Sequence, residues 1–132
     1  MTEDLHKLIA YRLDQAAETL AAARGLSAAG HYRDAVNRAC YAMFYCGLAL
    51  LASKGLGASK HTGVLSLFNR YFVKTGEFSV EDGRHLQEAF DLRQSSDYRE
   101  FVQIGTSQAQ ETIERAETFL QHTRRALLGP ER

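Results

Sequence analysis

The segment CYAMFYCGLALLA, residues 40–52, decides the fold. Apolar or aromatic side chains occupy nearly every position, so a helix formed by this segment is apolar on nearly every side. Such a helix is stable in water only when other helices enclose it. Gly47 costs a helix about 1 kcal/mol relative to alanine, so we expect a close helix crossing at that residue. The segment therefore predicts a buried central helix, which we place from about Tyr32 to Lys54.

Helical periodicity continues on both sides of this segment. Apolar residues recur at steps of three and four, and seven of the ten glycines, at 25, 30, 55, 57, 76, 105 and 129, lie between the periodic stretches. The first predicted helix carries a stripe that includes Leu8 and ends at Gly25, and the others cover about Thr62–Phe72, Val80–Gln94 and a last stretch from Ser107 to Gly129. The sequence predicts inward-facing side chains for Val64, Leu65, Phe68 and Phe72.

Two of these helices have predicted N-terminal caps. Ser79 and Asp82 have the spacing of a capping box, with Phe78 as a hydrophobic staple, and Ser107 and Gln110 have the same spacing. Long helices joined by short loops pack most simply as a bundle. We therefore predict an all-α, single domain over residues 1–132: an antiparallel up-and-down four-helix bundle with a short additional helix.

Composition restricts the function. The 16 Lys and Arg balance 16 Asp and Glu, and the pI is near 7.0, which argues against binding a polyanion over the whole surface because phosphate affinity needs uncompensated cations. Cys40 and Cys46, six residues apart on one helix, lie too far apart for a disulfide, so we expect reduced thiols and a cytoplasmic protein. The charged N-terminal segment predicts neither a signal peptide nor a membrane span.

Polar residues that interrupt an apolar stripe are the candidates for function. Leu86, Phe90, Arg93 and Asp97 lie at steps of four, three and four, so Arg93 extends the inward stripe. Arg93 and Asp97 would form an ordinary surface ion pair, or Arg93, Asp97 and Tyr98 would form a polar cluster in which the guanidinium grips a phosphate. Spacing alone favours the ion pair.

Two further segments contain candidate binding residues. Arg38, Tyr41 and Tyr45 form a polar and aromatic line on the central helix, which fits either a structural network with a neighbouring helix or a groove shared with Arg93. Lys60 and His61 lie at a predicted helix start, where anions are favoured, although a solvated loop explains them equally well. His61 is the histidine best placed for proton transfer.

Common motifs for cofactors and metals are missing from the sequence. It contains no Walker loop, GxGxxG, GxSxG, HExxH or CxxC pattern, and the histidines at 6, 31, 85 and 122 have no Cys or carboxylate at ligand spacing. We therefore expect no metal site and no cofactor.

Three segments together resemble a known family. NRACYAMFYCGLALL (residues 37–51), SKHTGVLSLFNRYFVKTGEF (59–78) and LRQSSDY (92–98) are similar, in this order, to the short prokaryotic HEPN-domain proteins whose helix reads RAxYAMF and whose later segment reads DLRxxxDY. The resemblance implies an antiparallel four-helix bundle with a short extra helix, usually a homodimer and often encoded beside a minimal nucleotidyltransferase. Many such proteins are metal-independent ribonucleases of toxin–antitoxin or defence systems.

The resemblance also implies a site. In the family, an arginine and a histidine separated by four to six residues meet their copies across the dimer interface, and Arg93 matches that arginine. Tyr98 stands where the histidine is expected, and a phenol with a reference pKa of about 10 is a poor base at neutral pH. We therefore assign Arg93, Asp97 and Tyr98 to the candidate catalytic site and expect residual or absent RNA cleavage.

The remaining candidates are predicted binding residues. Arg38, Tyr41, Lys60 and His61 are the predicted contacts for RNA or a nucleotide, and the expected partners are a second copy of the chain and a minimal nucleotidyltransferase, with no membrane. Two alternatives stay open at this point: a non-catalytic adaptor that docks the nucleotidyltransferase through an apolar face, and a helical module that packs against other proteins.

Overall fold

The fold is all-α, as predicted. The computed structural model describes residues 2–57, 61–98 and 104–129, with side chains over 2–57, 63–93 and 104–129. Within these ranges the elements are α1 (Glu3–Ala28), α2 (Tyr32–Ser53), α3 (His61–Phe68), a π-helical turn (Asn69–Val73), α4 (Val80–Tyr98) and α5 (Thr106–Leu128). The four long helices, α1, α2, α4 and α5, form the bundle, and α3 with the π-helical turn is the short additional element.

Helix α2 is the centre of the bundle, because it contacts α1, α3, α4 and α5. A Cβ atom added to Gly47 would lie 3.0 Å from Cγ1 of Val64, so α3 crosses α2 closely at this glycine, as predicted. Residues 29–31 alone separate α1 from α2, and so short a connection makes the two helices antiparallel neighbours. Gly30 has a φ of +86° in this turn, a value that favours glycine.

Helix α2 also has the length and apolar composition of a membrane span. Its most apolar 18-residue window has a mean hydropathy of 1.3, but 67% of that window is buried inside the protein. Enclosure by the neighbouring helices therefore accounts for its apolar character, in agreement with the expectation from residues 40–52.

An aromatic cluster joins α3, the π-helical turn and α5. Phe78 lies 5.1 Å from Phe68 and 5.8 Å from Phe119 between ring centroids, and Phe72 lies 5.7 Å from Phe78. Val64, Leu65, Phe68 and Phe72 are all buried, as predicted. Separations of this size are favourable for aromatic pairs, so the cluster stabilises this end of the bundle.

The start of α4 confirms one predicted cap and corrects its staple. The backbone N–H of Asp82 donates to Oγ of Ser79 at 3.0 Å, which is the capping interaction expected from the spacing. A staple would join Phe78 to the fourth helical residue, but that residue is Gly83, so Phe78 packs into the aromatic cluster instead. A Cβ on Gly83 would lie 2.9 Å from Oδ1 of Asn69, which shows how closely α4 approaches the π-helical turn.

Several predicted helix boundaries were wrong. Helix α1 continues through Gly25 to Ala28, and α4 continues past Gln94 to Tyr98, because neither extension contains proline and a single glycine costs a helix only about 1 kcal/mol. The N-cap of α5 is Gly105, so Ser107 lies inside the helix and does not cap it.

One predicted core residue is also corrected. Leu8 is 42% exposed, whereas Ile9 beside it is buried at 5%. The buried stripe of α1 therefore passes to one side of Leu8, because neighbouring positions of a helix point about 100° apart.

Candidate functional site

Arg93 of α4 reaches inward to α2. Its Nη1 donates a hydrogen bond to the hydroxyl of Tyr41 at 3.1 Å, and its Cζ lies 5.4 Å from the centroid of the Tyr41 ring. The guanidinium Nε is shielded from solvent. Arg93 thus follows buried Leu86 and Phe90 along the same stripe, and the inward direction predicted from the spacing is the one observed.

Arg38 lies against the same tyrosine. Its Cζ is 4.7 Å from the Tyr41 ring centroid, and its Nη2 donates to Oδ1 of Asn37 at 2.9 Å. Two guanidinium groups from different helices therefore contact one aromatic ring, each with a cation–π attraction of about 0.5–2 kcal/mol. We call Arg38, Tyr41 and Arg93 the arginine–tyrosine cluster.

This cluster bears on the two interpretations of Arg38, Tyr41 and Tyr45 that the sequence left open: a structural network with a neighbouring helix, or a groove shared with Arg93. Tyr41 does take part in a network with a neighbouring helix, and its partner there is Arg93. This contact fits the structural network, and it also brings Arg38 and Arg93 to the same ring. Two positive charges held close together in this way can bind a phosphate, because charge-assisted hydrogen bonds to an arginine are about twice as strong as neutral ones.

A row of half-buried aromatic side chains continues from the cluster along α2. The Tyr41 ring lies 6.2 Å from Tyr45 and 6.5 Å from Phe44, and Phe44 lies 5.7 Å from Phe90 of α4. Leu48 is half-buried as well. Together Tyr41, Phe44, Tyr45 and Leu48 form a surface that we call the α2 row.

The other predicted site residues are only partly described. Asp97 lies four residues, about one helical turn, after Arg93, and Tyr98 is the last residue of α4; the side chains of both are outside the described residues. His61 is the first residue of α3, which agrees with the predicted helix start, but its side chain is also outside the described residues. Lys60 lies outside them altogether.

Sequence reasoning missed one polar pair. Nδ1 of His122 on α5 lies 3.1 Å from both carboxylate oxygens of Asp82 on α4, and Asp82 is buried, with 7% of its surface exposed. The sequence pattern did not connect His122 with Asp82, because the two residues are 40 positions apart. The sequence indicated Asp82 only as the partner of Ser79 at a helix start; its burial, which favours a counter-charge, is seen in the structure.

The two cysteines are free and buried. Burial raises the pKa of the Cys46 thiol from 9.0 to about 12, against smaller opposing effects of Thr123 and Arg124. A nucleophilic cysteine needs the thiolate, so Cys46 is a core residue without thiol chemistry at neutral pH. In the ranges that the structure describes, no group of three or more His, Cys, Asp or Glu side chains is arranged to hold a metal ion.

Comparison with known proteins identifies the family. Residues 9–126 match the HEPN domain, which covers most of the chain and includes all three residues of the arginine–tyrosine cluster. The chain belongs to the HEPN family. The match begins in α1 and ends in α5, so it includes part or all of each of the four long helices.

Individual HEPN relatives cover the chain to a similar extent. A UPF0332 protein of Thermotoga maritima is 43% identical over 114 residues, which are 86% of this chain and 86% of the relative. Two proteins of Methanocaldococcus jannaschii, each named "Putative toxin", are 36% identical over 126 residues and 35% identical over 127 residues. Each alignment covers 96% of this chain, with 83% and 94% of the respective relative. The HEPN protein described here is thus similar, over nearly its whole length, to two proteins whose names contain the words "Putative toxin".

Proposed function

We propose that this HEPN protein is the RNA-binding or nucleotide-binding member of a toxin-like pair, and that it binds the phosphate backbone at the arginine–tyrosine cluster. The observation that carries the proposal is the contact of Arg93 and Arg38 with one ring, that of Tyr41. The names of the relatives support the toxin-like assignment, and the similarity of LRQSSDY to the family segment supports Arg93 as the phosphate contact. Asp97 and Tyr98, which follow Arg93 on α4, complete the proposed site, with Lys60 and His61 as further binding residues.

Binding without efficient cleavage is the expected activity. Metal-independent RNA cleavage needs a base that accepts the proton of the 2′-hydroxyl and whose pKa suits neutral pH. In the segment LRQSSDY, Tyr98 stands where the family has its histidine. His122 does not fill that role within one subunit, because its partner Asp82 precedes Arg93 by eleven residues, about 16 Å along α4. The arginines can still stabilise the negative charge of a phosphate. Without a base, this interaction gives binding of RNA and not cleavage.

The α2 row is the proposed contact with a second copy of the chain. Its aromatic side chains are half-buried in one subunit and continuous with the arginine–tyrosine cluster, so pairing two such rows would bring two clusters together. Aromatic residues are enriched at protein interfaces. A minimal nucleotidyltransferase remains the proposed second partner, on the basis of the resemblance alone, and the cytoplasm remains the proposed compartment.

The test of the phosphate site is binding of short RNA, tRNA and ATP to the wild type, Arg93→Ala and Arg93→Lys. We expect Arg93→Ala to lose about tenfold or more in RNA affinity, as the loss of a charged hydrogen bond would give, with a smaller loss for Arg93→Lys. Arg84→Ala is the matched control, since Arg84 is an exposed arginine of the same helix paired with Glu81 and Glu88. Equal binding by the wild type and Arg93→Ala would overturn the proposal.

The test of the dimer is light scattering of the wild type and of Tyr45→Glu. We expect a dimer for the wild type and a monomer for Tyr45→Glu, with helical circular dichroism unchanged. Tyr11→Glu is the control, because Tyr11 is 59% exposed on α1, outside the α2 row. A monomeric wild type would contradict the dimer.

Binding of the nucleotidyltransferase without any binding of RNA or nucleotide would support the non-catalytic adaptor instead.

A further inference from the structure

A second polar site lies at the other end of α4, where the start of that helix meets the end of α5. A cleft of about 280 Å³ is lined here by Glu77, Phe78, Asp82, His122, Arg125 and Ala126. The cleft is separate from the arginine–tyrosine cluster, because eleven residues of α4, about 16 Å of helix, separate Asp82 from Arg93.

The imidazole of His122 is held in one orientation. Nδ1 lies 3.1 Å from both oxygens of the buried Asp82 carboxylate, and Oγ of Ser79 donates to Oδ2 of the same carboxylate at 3.1 Å. An ionised carboxylate only accepts hydrogen bonds, so Nδ1 carries the hydrogen and Nε2 is the ring nitrogen available to a ligand. The His122 side chain is 36% exposed, which leaves part of the ring accessible.

The charges around the cleft favour an anion once His122 is protonated. Glu77 is paired with Lys54, whose Nζ lies 2.9 Å from Oε1 of Glu77, and Asp82 is paired with His122. Arg125 follows His122 by three residues on the same side of α5 and, within the described part of the chain, has no ion pair. Arg125 lies in the last turn of α5, where the helix dipole favours positive charge.

We infer that this cleft binds a phosphate monoester, with the guanidinium of Arg125 and protonated Nε2 of His122 as the two donors. The size of the cleft fits a small ligand, because pockets for drug-sized molecules begin at about 300 Å³. The phosphate monoester can be a free nucleoside monophosphate or the terminal phosphate of an RNA chain. In both, a dianionic phosphate accepts one hydrogen bond from each cation.

Binding is coupled to a proton. The neutral Nε2 atom has a lone pair that repels the phosphate, so the ligand binds the imidazolium and takes up a proton at Nε2. The charged groups that face His122 are Asp82 from α4, Glu77 with its partner Lys54, and Arg125 from α5. Because the bound state holds this additional proton, we expect affinity to fall as the pH rises.

The experiment is NMR of the histidine side chains of the full-length protein, titrated with AMP and with inorganic phosphate. His122→Gln identifies the His122 signals among those of the five histidines. We expect millimolar AMP and phosphate to shift these signals at about pH 6 and to shift them less at about pH 8. Adenosine, which lacks the phosphate, should leave them unchanged, and a short RNA with a 5′-phosphate, compared with one lacking it, tests the second source of the ligand.

Two variants separate a binding role from a structural one. Arg125→Gln should weaken phosphate binding by about tenfold without changing the stability, since Arg125 is exposed, whereas Arg93→Ala should leave binding in this cleft unchanged even if it abolishes RNA binding elsewhere. Asp82→Asn should weaken phosphate binding, because the imidazolium loses the carboxylate that holds Nδ1, while the helical circular dichroism stays the same. The absence of any His122 shift at about pH 6, or equal binding by Arg125→Gln and the wild type, would overturn the inference.

Discussion

Arg93 on α4 donates a hydrogen bond to the hydroxyl of Tyr41 on α2, over 3.1 Å and 52 positions of sequence. The same ring is in contact with Arg38, so Tyr41 fixes both guanidinium groups. The hydroxyl positions Arg93, whereas the ring contacts both arginines. The two contributions can be separated by mutation.

Tyr41→Phe keeps the ring and removes the hydroxyl. The free energy of unfolding should fall by about 0.5–1.5 kcal/mol, the usual cost of one hydrogen bond, because Arg93 keeps its contact with the ring. RNA affinity should fall by about threefold or more, since Arg93 loses part of its orientation. Chemical denaturation and RNA titration of the same samples measure the two effects.

Tyr45→Phe is the matched control for Tyr41→Phe. Tyr45 is half-buried on the same helix, and its ring lies next to the rings of Tyr41 and Phe44. RNA affinity that falls equally in both variants would show that the hydroxyl of Tyr41 has no special part in positioning Arg93.

Arg38→Gln tests the second cation of the cluster by its salt dependence. If Arg38 neutralises one phosphate, the variant should bind RNA more weakly, and the slope of log affinity against log salt should decrease by about 0.7 for single-stranded RNA. Arg12→Gln is the control, because Arg12 also lies against a tyrosine of its own helix, 5.6 Å from the Tyr11 ring centroid. An unchanged slope in Arg38→Gln would remove Arg38 from the phosphate contacts.

Much of the fold could be predicted from the sequence because it depends on local patterns. The continuous apolar segment of α2 predicted a buried central helix, Gly47 predicted the crossing with α3, and Ser79 predicted the cap of α4. The helix ends were less predictable. Gly25 lies within α1, and Ser95, Ser96 and Asp97 lie within α4, because packing along a bundle overrides weak local preferences.

The candidate site was predictable only in part. The inward position of Arg93 followed from the stripe of α4, and the spacing of Arg38 and Tyr41 placed both on one line of α2. The sequence did not predict that Tyr41 contacts Arg93, because spacing along one helix does not show which residue of a neighbouring helix it faces. The Asp82–His122 pair was missed for the same reason, since it joins two helices that are distant in sequence.

Two glycines in helices should respond in opposite ways to alanine. A Cβ on Gly47 would lie 3.0 Å from Cγ1 of Val64, whereas a Cβ on Gly25 meets nothing within 4 Å. Gly47→Ala should therefore lower the free energy of unfolding by about 1–3 kcal/mol, and Gly25→Ala should raise it by about 0.4–1 kcal/mol. Thermal and urea unfolding measure both values.

The double variant Gly47→Ala, Val64→Ala supplies the control for the crossing. Shortening Val64 removes the atom in conflict, so the double variant should be more stable than the sum of the two single changes predicts. Strictly additive effects would show that the contact with Val64 does not determine the cost of a larger side chain at position 47.

Alkaline pH should destabilise the protein through Cys46. Burial raises the pKa of this thiol from 9.0 to about 12, so between these values the thiol ionises in the unfolded chain but stays protonated in the folded one. The folded state then binds more protons, and the contribution of Cys46 to stability is complete below about pH 9 and decreases by about 1.4 kcal/mol per pH unit above it. In Cys46→Ala this contribution is missing, so the stability difference between the wild type and the variant should change with pH by that slope. Urea unfolding of both proteins from neutral to alkaline pH measures it, and parallel curves over the whole range would contradict the assignment of Cys46 as a buried, protonated thiol.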